Sequence, residues 1–403
     1  MVDYEIGCVL FLDSKIYENN GKMIKLPTGN NGIGYSRSKG YFKVNNYKEL
    51  DTGIIWITNF PEEFFSYFNI KNKNIKPENF FKIKLNSIIY ELGLTDLHRQ
   101  IVAKEISILA EKTVRLIQNN YKLYLNQPTL TDNLIESFNL KNINKKNITS
   151  NIDINYEENS FFITEQKKDK EEIQFYLNYP RYDYTRNLCK VSYPVGDWVY
   201  LGIDDNKVDD FKNKQKNIDI FKKISKNKEF AFEFISKYHS LIHVKLNNID
   251  NNIINILPAQ YKKNKIWIND FEYLFLSKYC NIYIEELYVT KNKKYLKDIE
   301  PQKLFKVKNI EKNSVSIGLG AYNYLYSFLD VFPKSNLSNW IKINDRIKML
   351  NTAIEFQKNN IKVLSYGNSG ILISVNREKI FNVVKIAEKL GLIYPTIIIS
   401  DFL

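Results

Sequence analysis

The sequence predicts an α+β protein, and three observations support this class. Apolar stretches of strand length, such as "CVLFLD" near the start and "TIIIS" near the end, are mixed with longer segments whose apolar residues recur at helical spacing. Turn signals such as "NNG" separate neighbouring apolar stretches, which is typical of hairpins. An antiparallel sheet with helices on one face is the natural packing for such an order of elements.

The length of 403 residues predicts two or three domains. In residues 1–140 a hairpin, "CVLFLDSKIYENNGKMIKLPTG", and a strand, "TGIIWITNFP", precede three helical segments, so a smaller mixed α+β domain is expected there. These helices are "PENFFKIKLNSIIYELGL", a long segment from Thr95, and "QPTLTDNLIESFNL". Residues 141–180 are largely polar and are interpreted as a connector, and residues 181–403 as the second domain.

The second domain is predicted to mix strands with helices. The predicted strands are "DWVYLGIDD", "HSLIHVKLNNI", "INILPAQY", "KIWIND", "NIYIEELYVTK" and "YPTIIISDFL". The predicted helices are "DFEYLFLSKYC", "WIKINDRIKMLNTAIEFQKNN" and "NREKIFNVVKIAEKLGL", while residues 208–230 form a lysine-rich segment of helix or loop. The stretch "VLSYGNSGILISV" predicts a hairpin whose turn holds Asn368, Ser369 and Gly370, with no acidic residue.

Composition favours a polyanionic partner and a reducing compartment. The formal net charge is +13 and aromatic residues make up 14% of the chain, which suits phosphate contacts combined with base stacking. Codon bias toward lysine is the alternative explanation of this charge. The three cysteines are far apart, so no zinc site is predicted. Neither a signal peptide nor an apolar run long enough for the membrane is visible, so we expect a cytoplasmic protein without a membrane partner.

Acidic and histidine residues offer weak signals for a metal site. Asp204 and Asp205 end a predicted strand and would suit Mg²⁺ with a phosphate substrate, although acids often end strands as solvated turn residues. His239 and His243 have the spacing of two zinc ligands on a helix, but their surroundings resemble a strand, and ordinary partly buried histidines are expected. No metal site is therefore predicted.

Lysines interleaved with tyrosines are the candidate nucleic-acid contacts, with a solvated basic face as the alternative. The candidates are Lys212, Lys214, Lys216, Lys222, Lys223, Lys262, Lys263, Lys265, Lys293 and Lys294, together with Tyr261 and Tyr366.

From residue 182 onward the order of elements resembles the palm of family B DNA polymerases, especially the protein-primed type. Motif A of that family is a strand that ends in a catalytic Asp and is followed by a Ser-Leu-Tyr-Pro helix start. The segment that leads to this motif is similar to "YDYTRNLCKVSYPVGDWVYLGIDDNKVDDF", in which Asp204 would take the Asp position. "SYGNSGIL" is similar to the motif C hairpin, Tyr-Gly-Asp-Thr-Asp, with Asn368 and Gly370 at the two Asp positions. The resemblance implies a palm-like sheet that has lost metal-binding acids.

Other family motifs are reduced. The fingers motif is matched only by "KNIEKNSVSIG", with Asn313 and Ser314, so reduced fingers are implied. In the N-terminal domain "FLDSK" would correspond to an exonuclease motif, Asp-x-Glu, but Lys15 stands where Glu is required after Asp13. The resemblance thus implies a degenerate exonuclease-like domain in front of the palm.

These observations lead to one main hypothesis and two alternatives. Two-metal phosphoryl transfer needs carboxylates from both motifs, so we expect a non-catalytic, polymerase-like, nucleic-acid-binding or scaffolding subunit. It would use no cofactor and would join other protein subunits in a replication, transcription or defence assembly of a phage or mobile element. The first alternative is a Mg²⁺-dependent nuclease or nucleotidyl transferase that uses Asp204, Asp205, Asp209 and Asp210. The second is a purely structural component of a multisubunit complex.

Overall fold

The computed structural model describes residues 4–17, 23–81, 84–92, 94–95, 97–118, 122–137, 161–169, 171–204, 214–263, 265–296, 315–332 and 334–397. Several sheets, mostly antiparallel, are packed with helices, which confirms the predicted α+β class. Among the described residues, no helix combines the length and apolarity needed to cross a membrane.

The N-terminal part is built on one five-stranded sheet. Its strands are β1 (Ile6–Tyr17), β2 (Met23–Ser36), β3 (Gly40–Asn46), β4 (Ile55–Thr58) and β5 (Ile75–Lys76), in the order β3-β2-β1-β4-β5. Its helices are α1 (Glu62–Tyr67), α2 (Leu85–Glu91), α3 (Arg99–Gln118) and α4 (Leu130–Ser137). β1 runs antiparallel to β2, as the hairpin prediction requires, and parallel to β4. The "NNG" turn itself lies outside the described residues.

Helix α3 packs against β1 through an apolar face. Ile106 and Leu109 of α3 are fully buried with Ile6 and Cys8 of β1, and the Ser107 hydroxyl donates a hydrogen bond to the Ile6 carbonyl at 2.7 Å. The helical spacing of these apolar residues explains why the long helix forms where the sequence predicts it.

The second part contains three further sheets. Its strands are β6 (Phe161–Ile163), β7 (Ile173–Asn178), β8 (Ser192–Pro194), β9 (Val199–Leu201), β10 (His239–Asn247), β11 (Lys265–Asn269), β12 (Asn281–Thr290), β13 (Lys293–Tyr295), β14 (Lys362–Gly367), β15 (Gly370–Val375) and β16 (Ile393–Ile397). Its helices are α5 (Arg181–Leu188), α6 (Lys214–Lys226), α7 (Lys228–Lys237), α8 (Asp270–Leu276), α9 (Val315–Asp330), α10 (Asn336–Lys358) and α11 (Ile380–Leu390). The sheets have the orders β16-β7-β15-β14-β6, β11-β10-β12-β9 and β13-β8.

Two segments differ from the sequence-based expectation. Residues 173–178, placed in the polar connector, form β7, which pairs with β15 on one side and β16 on the other. Residues 253–261, "INILPAQY" and its surroundings, form turns and a short 3₁₀ helix from Ala259 to Lys262 where a strand was predicted, so that prediction is wrong. Pro258 immediately precedes this helix; proline lacks the N–H that a strand ladder needs but is well tolerated at a helix start.

Helix α10 organises the second part because it is buried on nearly every side. Its Asp345 carboxylate accepts hydrogen bonds from three buried hydroxyls, those of Tyr184, Tyr322 and Tyr326. Burial raises the pKa of Asp345, and the three tyrosine hydrogen bonds act against that increase. The neighbouring Arg346 donates to the Glu272 carboxylate of α8 at 2.6 Å, so α8 and α10 are joined by a buried ion pair.

Helices α5 and α9 connect the two parts of the protein. Tyr182 of α5 and Ala321 and Tyr324 of α9 belong to the same buried cluster as the apolar residues of α3 and β1. Tyr184 of α5 and Leu325 of α9 belong instead to a second buried cluster, which includes the hairpin residues, so each of these helices contributes to both clusters.

Candidate functional site

The predicted hairpin forms, and its turn is tight. β14 and β15 pair antiparallel up to Gly367 and Gly370, which leaves a two-residue turn of Asn368 and Ser369. Both turn residues have positive φ, 50° and 62°, which is what a type I′ turn of a two-residue hairpin requires. Asparagine tolerates this conformation better than most residues, so Asn368 suits the turn.

Strand β7 lies directly beside this hairpin. Asn178 pairs with Gly370 and Tyr176 pairs with Leu372, so the side chains of Tyr176 and Asn178 lie on the same sheet face as position 370. A Cβ atom added at Gly370 would lie 2.1 Å from the Tyr176 hydroxyl oxygen. The Tyr176 side chain therefore occupies the space that a larger residue at position 370 would need.

Arg181 adds a buried cation at the same place. It is the first residue of α5, is 3% exposed, and donates through Nε to the Ser369 hydroxyl and through Nη2 to the Tyr176 hydroxyl, each at 3.0 Å. Helix α9 approaches closely here, because a Cβ at Gly318 would lie 3.0 Å from the Arg181 Cβ. The guanidinium therefore bridges the hairpin turn and the adjacent strand in a packed environment. We define the hairpin site as Tyr176, Arg181, Asn368, Ser369 and Gly370.

The electrostatics of the hairpin site are opposite to those of a metal site. A divalent cation needs oxygen ligands that carry negative charge, whereas this site contains hydroxyl groups, an amide and a positive guanidinium. At short range and in low dielectric, the guanidinium would repel a divalent cation strongly. The arrangement can hold the hairpin rigidly, but its residues are unsuited to binding catalytic metal ions.

Asp204 does not lie beside the hairpin in its sheet. It follows β9, an edge strand of the four-stranded sheet, whereas Asn368 and Gly370 lie in the five-stranded sheet. The strand that pairs with the hairpin at Gly370 is β7, and it is followed by Tyr179, Pro180 and α5. Asp204 is therefore not adjacent to the hairpin within its sheet, and Tyr176 and Asn178 are the side chains that the adjacent strand presents beside position 370.

Other candidate acids and histidines have ordinary protein partners or lie outside the described residues. Within the described part of the chain, no group of three or more His, Cys, Asp or Glu side chains could hold a metal ion. Asp13 lies 4.0 Å from the Arg99 guanidinium. His239 contacts Asp270 at 3.0 Å, and His243 stacks on Trp267. The alternative acids Asp205, Asp209 and Asp210 fall outside the described residues.

The candidate lysines divide by environment. On α6, Lys216, Lys222 and Lys223 are exposed to solvent, and Lys214 is half-buried. Elsewhere, Lys262 and Lys265 are exposed but paired with acids: Lys262 Nζ lies 2.5 Å from Glu165, and Lys265 Nζ lies 2.6 Å from Glu285. Lys263 and Lys293 are exposed, Lys294 is half-buried, and Lys212 lies outside the described residues. Helix α6 therefore offers the largest group of exposed candidates.

The two candidate tyrosines are buried, so in this structure neither ring can stack on a base. Tyr261 is 1% exposed and donates to Glu272 at 2.5 Å, and Tyr366 is 0% exposed and donates to the Ile256 carbonyl at 2.7 Å. Burial raises the pKa of both phenols. Tyr261 adjoins lysines in sequence, but the 3₁₀ helix turns its ring inward.

Sequence reasoning missed Tyr176 and Arg181. The signal was present as "FYLNYPR", an apolar strand followed by Tyr-Pro and a basic helix start. It was overlooked because the acidic and basic run "EQKKDKEE" precedes it and favours a connector.

No family model and no curated protein sequence matches this chain. Solved structures of Phi29 DNA polymerase are similar to it. A complex with primer-template DNA has a TM-score of 0.45 and 9% identity, over 92% of this chain and 80% of that chain. An orthorhombic crystal form of the same polymerase has a TM-score of 0.43 and 10% identity, over 93% and 81%.

Proposed function

We propose that this protein is a non-catalytic, polymerase-like nucleic-acid-binding or scaffolding subunit. The observation that carries the proposal is the hairpin site, where Tyr176 and Arg181 fill the position next to a motif-C-like turn. Two-metal catalysis depends on carboxylates that hold cations against a phosphate, and this chemistry is unavailable to hydroxyl, amide and guanidinium groups.

The exposed lysines of α6 support the nucleic-acid half of the proposal. Lys216, Lys222 and Lys223 lie on one short helix, and like charges so close together favour a polyanion as partner. The net charge of +13 likewise favours a polyanionic partner. An assembly of phage or mobile-element origin, with further protein subunits, remains part of this proposal.

Binding is tested by fluorescence anisotropy with labelled single-stranded and primer–template DNA at low salt. We expect binding that weakens steeply as salt rises, because phosphate contacts release counterions. The double variant Lys222→Glu/Lys223→Glu is expected to weaken binding and to reduce the salt dependence. A matched control is Lys385→Glu/Lys389→Glu on α11, which reverses the same charge elsewhere.

Two results would contradict the proposal. Absence of binding by the wild-type protein at low salt would remove the nucleic-acid half. Equal weakening by the α6 variant and the α11 control would show that only net charge matters. Metal-dependent cleavage of DNA, lost in Asp204→Ala, would instead favour the nuclease alternative.

A further inference from the structure

An open groove of about 710 Å³ lies where α6 and α7 pack against β9 and β12. Its apolar lining includes Val199, Ile220 and Phe234. Val199 is 47% exposed, although its cross-strand neighbour Val289 is 9% exposed. The helices therefore cover this face of the sheet incompletely and leave apolar surface open to solvent.

The rim of the groove is polar and mainly basic. Among the described residues, Lys216 from α6 and Lys291 after β12 line it together with Asn217 and Asn292, and Asp197 is the one acid in that described lining. Amide groups both donate and accept hydrogen bonds, which suits the edges of nucleic-acid bases. The rim thus complements a ligand that is anionic outside and flat and apolar inside.

An aromatic ring lies beside one of these charges. The Lys291 Nζ atom lies 5.5 Å from the ring centroid of Tyr238, which also lines the groove. An aromatic ring next to an ammonium group is the combination that lets single-strand-binding proteins stack a base and hold its phosphate.

Basic residues continue along α6 away from the groove. Lys216, Ile220 and Lys223 follow one another at intervals of four and three residues, so they lie on one side of the helix. A nucleic-acid backbone that runs along this side would meet Lys216 at the groove and Lys223 two turns further on.

From these features we infer that the groove binds one unpaired nucleotide of a single-stranded nucleic acid. The base packs against Val199 and Tyr238, and the flanking phosphates contact Lys216 and Lys291. This inference rests on the nucleic-acid binding proposed above and narrows it to single strands, because bases stacked inside a duplex cannot enter a groove between helices.

The test uses a labelled dT12 oligonucleotide and a labelled 12-base-pair duplex, with the full chain in low salt. Val199→Trp fills the groove without changing charge and is expected to weaken dT12 binding at least tenfold while duplex binding changes less than twofold. Ile163→Trp is the matched control, because Ile163 is 82% exposed on β6, outside the groove lining, and it should leave both affinities unchanged.

A second pair of variants tests the same inference in case the Val199→Trp protein does not fold. Asn217→Asp places a carboxylate in the groove and should weaken dT12 binding, whereas Gln215→Glu adds the same charge on the same helix away from the groove lining. Wild-type affinity in folded Val199→Trp, or equal losses in Asn217→Asp and Gln215→Glu, would overturn the groove inference and leave the proposed function intact. If the wild-type protein bound neither dT12 nor the duplex, the proposed function itself would be overturned.

Discussion

At the scale of single residues, Gly370 and Tyr176 depend on each other. The tyrosine hydroxyl lies where a Cβ at position 370 would be, and Arg181 holds that hydroxyl at 3.0 Å. An acid introduced at position 370 alone would therefore create a steric clash as well as a new charge.

The first prediction concerns this coupling. Gly370→Asp is expected to lower the free energy of unfolding by about 1–3 kcal/mol, the usual cost of overpacking. Combined with Tyr176→Ala, the total loss should be smaller than the sum of the two single losses, because the clash disappears. Chemical denaturation of the wild type, both single variants and the double variant gives the coupling energy. Additive effects would show that the two side chains do not compete for space.

The second prediction concerns Lys76, a buried cation in the N-terminal part. Its Nζ donates to the Leu125 and Gln127 carbonyls at 2.7 and 2.8 Å, and burial, assisted by Lys73, lowers its pKa to about 8. A lowered folded-state pKa means that the unfolded chain binds the proton more tightly. Stability should therefore rise as pH increases from about 8 toward the ordinary lysine pKa, by at most about 1.4 kcal/mol per pH unit.

Urea denaturation at pH 7.5, 8.5 and 9.5 checks this prediction against two variants. Lys76→Met should lose the rise in stability that the wild type shows over this range. Lys71→Met removes an exposed lysine and should retain the rise in stability with pH. The same pH dependence in the wild type and Lys76→Met would rule out Lys76 as its source.

At the scale of elements, the ion pair between α8 and α10 supports the core behind the hairpin site. Arg346 is 4% exposed and Glu272 is 1% exposed, so neither charge has access to solvent. The third prediction is that Glu272→Ala lowers the free energy of unfolding by about 3–5 kcal/mol, because it leaves a buried guanidinium without its partner.

The matched comparison is the double variant Glu272→Leu/Arg346→Met, which removes both charges. It should lose clearly less stability than Glu272→Ala, since apolar replacement of a buried pair is often nearly neutral. A double variant as unstable as Glu272→Ala would show that lost packing and the lost hydrogen bonds from Tyr261 and Asn269 to Glu272, rather than the unpaired charge, dominate.

Strand β7 shows how far the sequence could predict the site. The hairpin was predictable because two apolar stretches flank "NSG" within thirteen residues, and all its pairing is local. The pairing of β7 with β15 joins residues nearly two hundred positions apart, and no local pattern specifies it. Local sequence could therefore indicate the strand and the helix start, but not that Tyr176 and Arg181 lie beside the hairpin.

At the scale of the whole molecule, the fold class was easier to predict than the arrangement of the strands into sheets. The α+β class followed from the mixed order of strands and helices, and the long helices α3, α10 and α11 lie where apolar periodicity placed them. The division of the second part into separate sheets was not predictable, because strand order depends on contacts between distant segments. Asp204 and Asn368, which share a sheet in the sequence-based account, are separated by that division.

The central claim is that the protein binds nucleic acid without extending it. Primer extension with Mg²⁺ or Mn²⁺, on primer–template DNA that anisotropy shows to be bound, tests this claim most directly. The account predicts bound primer that is not extended, for the wild type and for Asp204→Ala alike. Extension of the primer by the wild type, whatever the effect of Asp204→Ala, would contradict it.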